Sequence, residues 1–272
     1  MRSFSTLRPL LNKGPGFLST LKEASKPPLT KPEMITKPFG FDDRTTLKTT
    51  EISVFNMFSK EGKAQRQRQL DHDIAHSPFY ESKSFENTKG KIFMPPISYF
   101  KQEKAKYFPN LEATSLLGKH TNLYSEFKDK VSLVRIFATL SGENCTKTYV
   151  RQYLNKEQYD EFQKQYPNAQ LIDLFVPQSW VKGLFVSSGS LRRSVPKIRQ
   201  DTFFLLPHGC LDVDSRRTLK CDNTCAGYLY VVDEEGKIRW ATSGNATESE
   251  KEVLWKTVRG LEKELVNKNE TC

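Results

Sequence analysis

The stretch Lys130–Tyr149, KVSLVRIFATLSGENCTKTY, constrains this chain more than any other. Val131–Phe137 is an apolar run rich in β-branched residues, interrupted only by Ser132 and Arg135. Such a run suits a strand covered on both faces. Ala138–Cys145 then turns the chain, and Tyr149, Val150, Tyr153 and Leu154 recur at the spacing of one helix face. Strand, short loop and helix in that order predict an α/β domain. The start of that helix is a place where a thiolate is favoured.

These residues resemble the thioredoxin class, in which the loop carries Cys-x-x-Cys. The positions that should be cysteines are Ser141 and Asn144, with Gly142 still between them, and Cys145 lies one position late. Serine and asparagine form no disulfide. Downstream, Gly227–Trp240 (GYLYVVDEEGKIRW) reads as a strand, a turn at Glu235-Gly236 and a second strand. It is similar to the segment that a cis proline opens opposite the cysteines in that class, and Gly227 stands where the proline would be. The resemblance therefore implies a thioredoxin-like frame without its redox pair. No catalytic, cofactor-binding or metal-binding residue is assigned.

The remaining pattern fits the same frame. Leu171–Val176 and Thr202–Leu206 read as further strands, and Ser179 can cap a short helix holding Trp180, Val181, Leu184 and Phe185. Thr247-Glu-Ser-Glu250 is a capping box, followed by Leu254, Val258, Leu261 and Leu265 on one helical stripe.

The first half is less orderly. Hydrophobic content is 37% over 272 residues, low for a compact domain of that length, and implies loosely packed polar regions. No apolar run approaches the roughly 20 residues needed to span a bilayer. The net charge of +10 is uneven: residues 1–130 carry 22 basic and 14 acidic side chains, residues 131–272 carry 20 and 18. A basic extension on a nearly neutral domain suggests an anionic partner or a solvated face.

Residues 1–24 are basic, hydroxylated and amphipathic, with no acid before Glu23, which is the composition of a mitochondrial transit peptide. Residues 25–50 form a Pro-rich linker. Residues 51–110 form a basic extension. Its helical pattern from Glu51 to Ile74 could lie on an anionic bilayer or pack on its own domain. His76–Tyr80 and Gly90–Pro96 read as loop. Residues 111–272 are the thioredoxin-like domain. Interleaved aromatics, which RNA binding would want, are absent from Gln65–Gln69, and no nucleic-acid partner is expected.

Five cysteines at irregular spacing are not a disulfide framework. His208, Cys210, Cys221 and Cys225 are four ligand-type side chains, but without two close pairs they match no tight zinc knuckle. A Cys221–Cys225 disulfide, or ordinary thiols, are the other readings.

The order of the pieces carries a second resemblance. A transit-like start, a basic helix, Gly90-Lys-x-Phe-x-Pro95 and Tyr107-Phe-Pro-Asn-Leu111 precede the degenerate thioredoxin-like loop and the closing hairpin. From about residue 40 to 266 the chain resembles the mitochondrial ATP synthase assembly factors of the inner membrane, nearest in pattern to the fungal member. That resemblance implies a non-enzymatic chaperone without cofactor, peripheral on the matrix side and in contact with anionic lipid. It also implies binding of newly made subunit 6 (subunit a) until it joins the subunit 9 (subunit c) ring. The alternative from another class is a mitochondrial peroxiredoxin-like or metal-handling thiol protein, using Cys145, or Cys221 with Cys225.

Overall fold

A computed structural model describes residues 31–47, 78–177 and 190–271. Residues 1–30, the helical pattern of 51–74 and the short helix expected after Ser179 lie outside the described residues. In chain order the elements are β1 (Glu33–Met34), β2 (Thr46–Leu47), α1 (Pro78–Thr88), β3 (Phe93–Met94), β4 (Asn110–Ser115), β5 (His120–Asn122) and α2 (Leu123–Phe127). Then come β6 (Val131–Phe137), α3 (Leu140–Val150), α4 (Lys156–Gln165), β7 (Ala169–Phe175), α5 (Ser190–Ser194), β8 (Phe203–Leu205), α6 (Val213–Thr218), β9 (Tyr228–Val232), β10 (Ile238–Ser243) and α7 (Glu248–Thr271).

β6 sits inside an eight-stranded mixed sheet of order β10-β9-β6-β7-β8-β4-β2, with β5 paired to β4. It runs parallel to β7 and antiparallel to β9, and every one of its residues is buried. The α3 and α4 crossover joins the two parallel strands, the β9–β10 hairpin closes one edge, and α7 returns across the sheet. This is the thioredoxin-like α/β arrangement, a mixed sheet flanked by helices, with extra strands beyond β7. The strands expected at Leu171–Val176, Thr202–Leu206 and Gly227–Trp240 are β7, β8 and the hairpin.

Alternation along β6 builds two cores. Val134 and Ile136 face one side, with Ile172, Leu174 and Tyr230 from neighbouring strands. Val131 and Leu133 face the other, against Tyr149, Val150, Phe162 and the Leu254, Val258, Leu261 and Leu265 stripe of α7. Each fully buried Leu or Phe contributes about 2 kcal/mol. The first core also takes Ile35, Phe39, Phe93 and Phe108 from the segment ahead of the domain, so that segment is packed rather than draped. The two polar interruptions of β6 are matched across the register. Ser132 stands opposite Gln170, whose Nε2 donates to its hydroxyl at 2.9 Å, and Arg135 stands opposite Asp173.

One local reading is corrected. Pro78-Phe79-Tyr80 belongs to α1 and not to a loop. A proline fits the first turn of a helix, where its missing N–H would have had no partner. The capping box closes as expected: Glu250 N donates to Thr247 Oγ1 (3.3 Å), and Thr247 N donates to the Glu250 carboxylate (3.0 Å).

Candidate functional site

At the start of α3 this chain has a corner filled by its own backbone. Thr139 caps α3 in an extended conformation and its hydroxyl accepts from Gly142 N at 3.2 Å. Ser141, at the first position where the sequence resemblance expects a cysteine, donates its hydroxyl to the Cys225 carbonyl at 2.9 Å. Asn144, at the second, is exposed. Gly142 and Gly227 meet face to face. A Cβ on Gly142 would stand 2.5 Å from the Ala226 carbonyl oxygen, and one on Gly227 would run into the Gly142 carbonyl. Only glycine fits that approach, and no described residue has a cis peptide bond.

The corner is also covered. The Glu81 carbonyl on α1 accepts from Asn223 Nδ2 (2.9 Å), and its carboxylate accepts from Thr224 N (3.0 Å) and from the Thr224 hydroxyl. Gly90 lies over Cys145 Sγ. Lys91 Nζ reaches both carboxylate oxygens of Glu250 (2.8 and 2.9 Å) and the Tyr149 hydroxyl (2.9 Å). That hydroxyl in turn donates to Glu250 at 2.7 Å and meets Thr242 at 2.9 Å. Phe93 exchanges both backbone groups with Ser243 Oγ, and Trp240 Nε1 donates to the Pro96 carbonyl. The 90–96 segment thus clamps α3, β10 and the α7 start together.

The thiol candidates are not gathered. Cys145, Cys210 and Cys221 are buried, Cys225 is half-buried, and all four are free. His208 is exposed while Cys210, two residues on, is buried. Among the described residues no group of three or more His, Cys, Asp or Glu side chains is placed to hold a metal ion. Burial pushes the Cys210 and Cys221 thiols up to about 12 and raises those of Cys145 and Cys225. A thiol so raised is a poor nucleophile at neutral pH.

Comparison with known proteins sets this corner in a family. The ATP10 protein family matches residues 19–261. The chain belongs to the ATP10 family. Its ATP10 relatives include the mitochondrial ATPase complex subunit ATP10 of Eremothecium gossypii, 32% identical over 84% of this chain and 85% of that protein. The protein of the same name in Saccharomyces cerevisiae is 31% identical over 90% of this chain and 92% of its own length. Solved structures similar to it include a DsbF homologue from Corynebacterium diphtheriae (11% identity, TM-score 0.38, 60% of this chain and 91% of that one). A yeast mitochondrial 1-Cys peroxiredoxin is another (18% identity, TM-score 0.36, 58% and 76%).

In this ATP10 chain the pieces that suggested the family have structural work. Lys91 and Phe93 of the Gly-Lys-x-Phe-x-Pro segment form the clamp, and Phe108 and Leu111 of Tyr-Phe-Pro-Asn-Leu are fully buried in the first core. Sequence reasoning missed the Lys91–Glu250–Tyr149 cluster, although a carboxylate already identified as a cap was its centre. It also missed Arg135–Asp173, for which one polar residue inside each of two predicted strands was the signal.

Proposed function

We propose that this chain is a non-enzymatic assembly factor of the mitochondrial ATPase complex. It binds newly made subunit 6 (subunit a) at the matrix face of the inner membrane and holds it until it joins the subunit 9 (subunit c) ring. Membership of the ATP10 family over nearly the whole chain is the observation that carries this reading. The sealed corner supports it: with Ser141 hydrogen-bonded to Cys225 and Gly142 against Gly227, the place where a relative of thioredoxin would do chemistry is used for packing. Such a frame serves as a binding module.

Residues 1–24 act as the transit peptide, and the basic first half gives affinity for the anionic inner membrane, at about 1 kcal/mol for each positioned Lys or Arg. Among the described residues no helix is long and apolar enough to cross a membrane, which suits peripheral attachment.

The test is capture from mitochondria. Tagged protein is crosslinked and recovered while organellar translation products are being labelled. Newly made subunit 6 should be enriched, and replacement of all five cysteines by serine should leave the capture intact. Capture of no organellar product, or loss of capture with Cys221 or Cys225, would overturn this reading in favour of thiol chemistry.

A further inference from the structure

The sheet carries a buried charge imbalance on its α3 side. Arg135 Nη1 lies 2.8 Å from Asp173 Oδ1, its register partner on the next strand. Arg199, at the end of the 3-10 turn Lys197–Arg199 that precedes β8, brings Nη2 onto Asp173 Oδ2. All three side chains are more than nine-tenths buried. Two guanidiniums share one carboxylate, so one unit of positive charge is left over. Arg135 donates from Nε to Thr146 Oγ1 (3.2 Å) and from Nη2 to the Glu143 carbonyl (3.5 Å), whereas Arg199 Nε, and on the acceptor side Asp173 Oδ1, have no hydrogen-bond partner among the described residues. Burial lowers the pKa of Arg135; Asp173 and Glu143 oppose that, and the neighbouring Arg199 adds to it. An uncompensated buried cation is costly, and buried charges are as a rule paired.

These groups lie along an open cleft of about 1150 Å³ between α3, α4 and the connection from β7 to β8. Its walls include Leu140, Leu154, Leu191 and Val195, and Leu140 is 68% exposed. The rim acid is shared: Glu143 pairs with Lys147 at 2.7 Å and also favours the charge of Arg135, so that Arg135, Arg199 and Lys147 divide two carboxylates, Asp173 and Glu143. Lys251 on the rim pairs with Glu248 at 2.8 Å, and Arg151 is exposed.

We propose that this cleft binds a protein segment in which one carboxylate is flanked by apolar residues. The carboxylate docks on Arg199, and its neighbours pack on Leu140, Leu191 and Val195. Planar guanidinium donors match a carboxylate, and a cleft with apolar walls this large exceeds what a simple anion fills. The site is separate from the sealed corner, and the inference stands whether or not subunit 6 is the client.

The test uses the full chain and two short fluorescent peptides, apolar throughout except for a central Glu in one and Gln in the other. Fluorescence anisotropy should give the Glu peptide an affinity at least about tenfold the higher, and Arg199→Met should abolish the preference. Equal affinities would overturn the proposal. So would a preference that survives Arg199→Met, which would put the peptide elsewhere. Binding of inorganic phosphate with no peptide preference would also overturn it, leaving a site for anions alone. Should Arg199→Met fail to fold by circular dichroism, Arg151→Glu on the exposed rim takes its place. It should weaken the Glu peptide and leave the Gln peptide unchanged, and equal effects on both would sink the idea. Subunit capture in mitochondria is a separate readout, so either reading can fail alone.

Discussion

Helix α3 has two flanks that solve the same problem differently. On one flank, Lys91 meets one carboxylate, Glu250, and that carboxylate also takes the Tyr149 hydroxyl and the Thr247 amide. One cation faces one anion and the polar atoms are bonded. On the other flank, Arg135 and Arg199 share Asp173, and a guanidinium nitrogen is left without a partner among the described residues. The balanced cluster carries the 90–96 segment over it and reaches the open cleft only through Tyr149, whereas all three members of the unbalanced one line that cleft. A balanced buried set is a fastening. An unbalanced one, on the proposal made above, is completed by a ligand.

Removing the anion should be severe on the cleft flank. Asp173→Asn leaves two buried guanidiniums side by side and should cost about 3–5 kcal/mol in denaturant unfolding. A loss under about 1 kcal/mol would mean that the two cations are already neutralised by some other group. Removing the cation on the closed flank comes next. Lys91→Met strands the Glu250 carboxylate with only a hydroxyl and an amide, for an expected loss of about 2–4 kcal/mol. If it proves neutral, the clamp is held by Phe93 and Ser243 rather than by charge.

The corner beside the clamp gives a smaller, purely steric effect. Gly227→Ala pushes a methyl into the Gly142 carbonyl and should cost about 1–3 kcal/mol, with α3 shifted away from β9. Unchanged stability would show that the corner can open, and with it the face on which thioredoxin-like proteins present peptide.

The buried thiols give a pH signature of lesser size. Cys210 and Cys221 bind their protons up to about pH 12 in the folded chain, against roughly 8.5 when unfolded. A pKa raised on folding contributes stability that is whole below the unfolded value and lost as pH rises toward the folded one. The unfolding free energy should therefore fall between pH 8.5 and 10, by about 1 kcal/mol for each of the two thiols near pH 9.3. Lys91, whose pKa burial lowers, works in the opposite direction. Serine at Cys210 and Cys221 together should flatten the fall, and an unaltered slope would assign it to other groups.

What could be read from the amino acids was what local pattern encodes. β6 announced itself as an apolar run, the hairpin by its turn, and α7 by its capping box and stripe. Ser141 lies in the first turn of the helix after β6 and Gly227 just ahead of the hairpin, where the strand, loop and helix pattern put them. What escaped was pairing over distance. Lys91 and Glu250 are 159 residues apart, and nothing local in either segment points to the other. Gly142 and Gly227 each look like ordinary loop glycines until two backbones are seen to touch. Pro78 was ambiguous, since proline after serine ends some elements and opens others. Arg135 and Asp173 were in view as blemishes in two strands, but the third member, Arg199, comes from a turn that no periodicity marks.

The smallest effect is the one that separates the two flanks. In Lys91→Met a balanced pair is broken. In Arg199→Met a surplus cation is removed, and Arg135 with Asp173 remain as one cation and one anion on adjacent strands. The lost hydrogen bond to Asp173 costs, and the relief of like charge at Arg135 offsets it, so the net change should lie within about 1 kcal/mol of zero. Arg199 also lies over the Tyr159 ring, 5.9 Å from its centre, and the methionine keeps a polarisable contact there. Near-zero cost at Arg199 beside a large cost at Lys91 is what a ligand-completed cation predicts. Equal costs at the two would make Arg199 one more fastening, and would leave the cleft without the charge that gives it a partner.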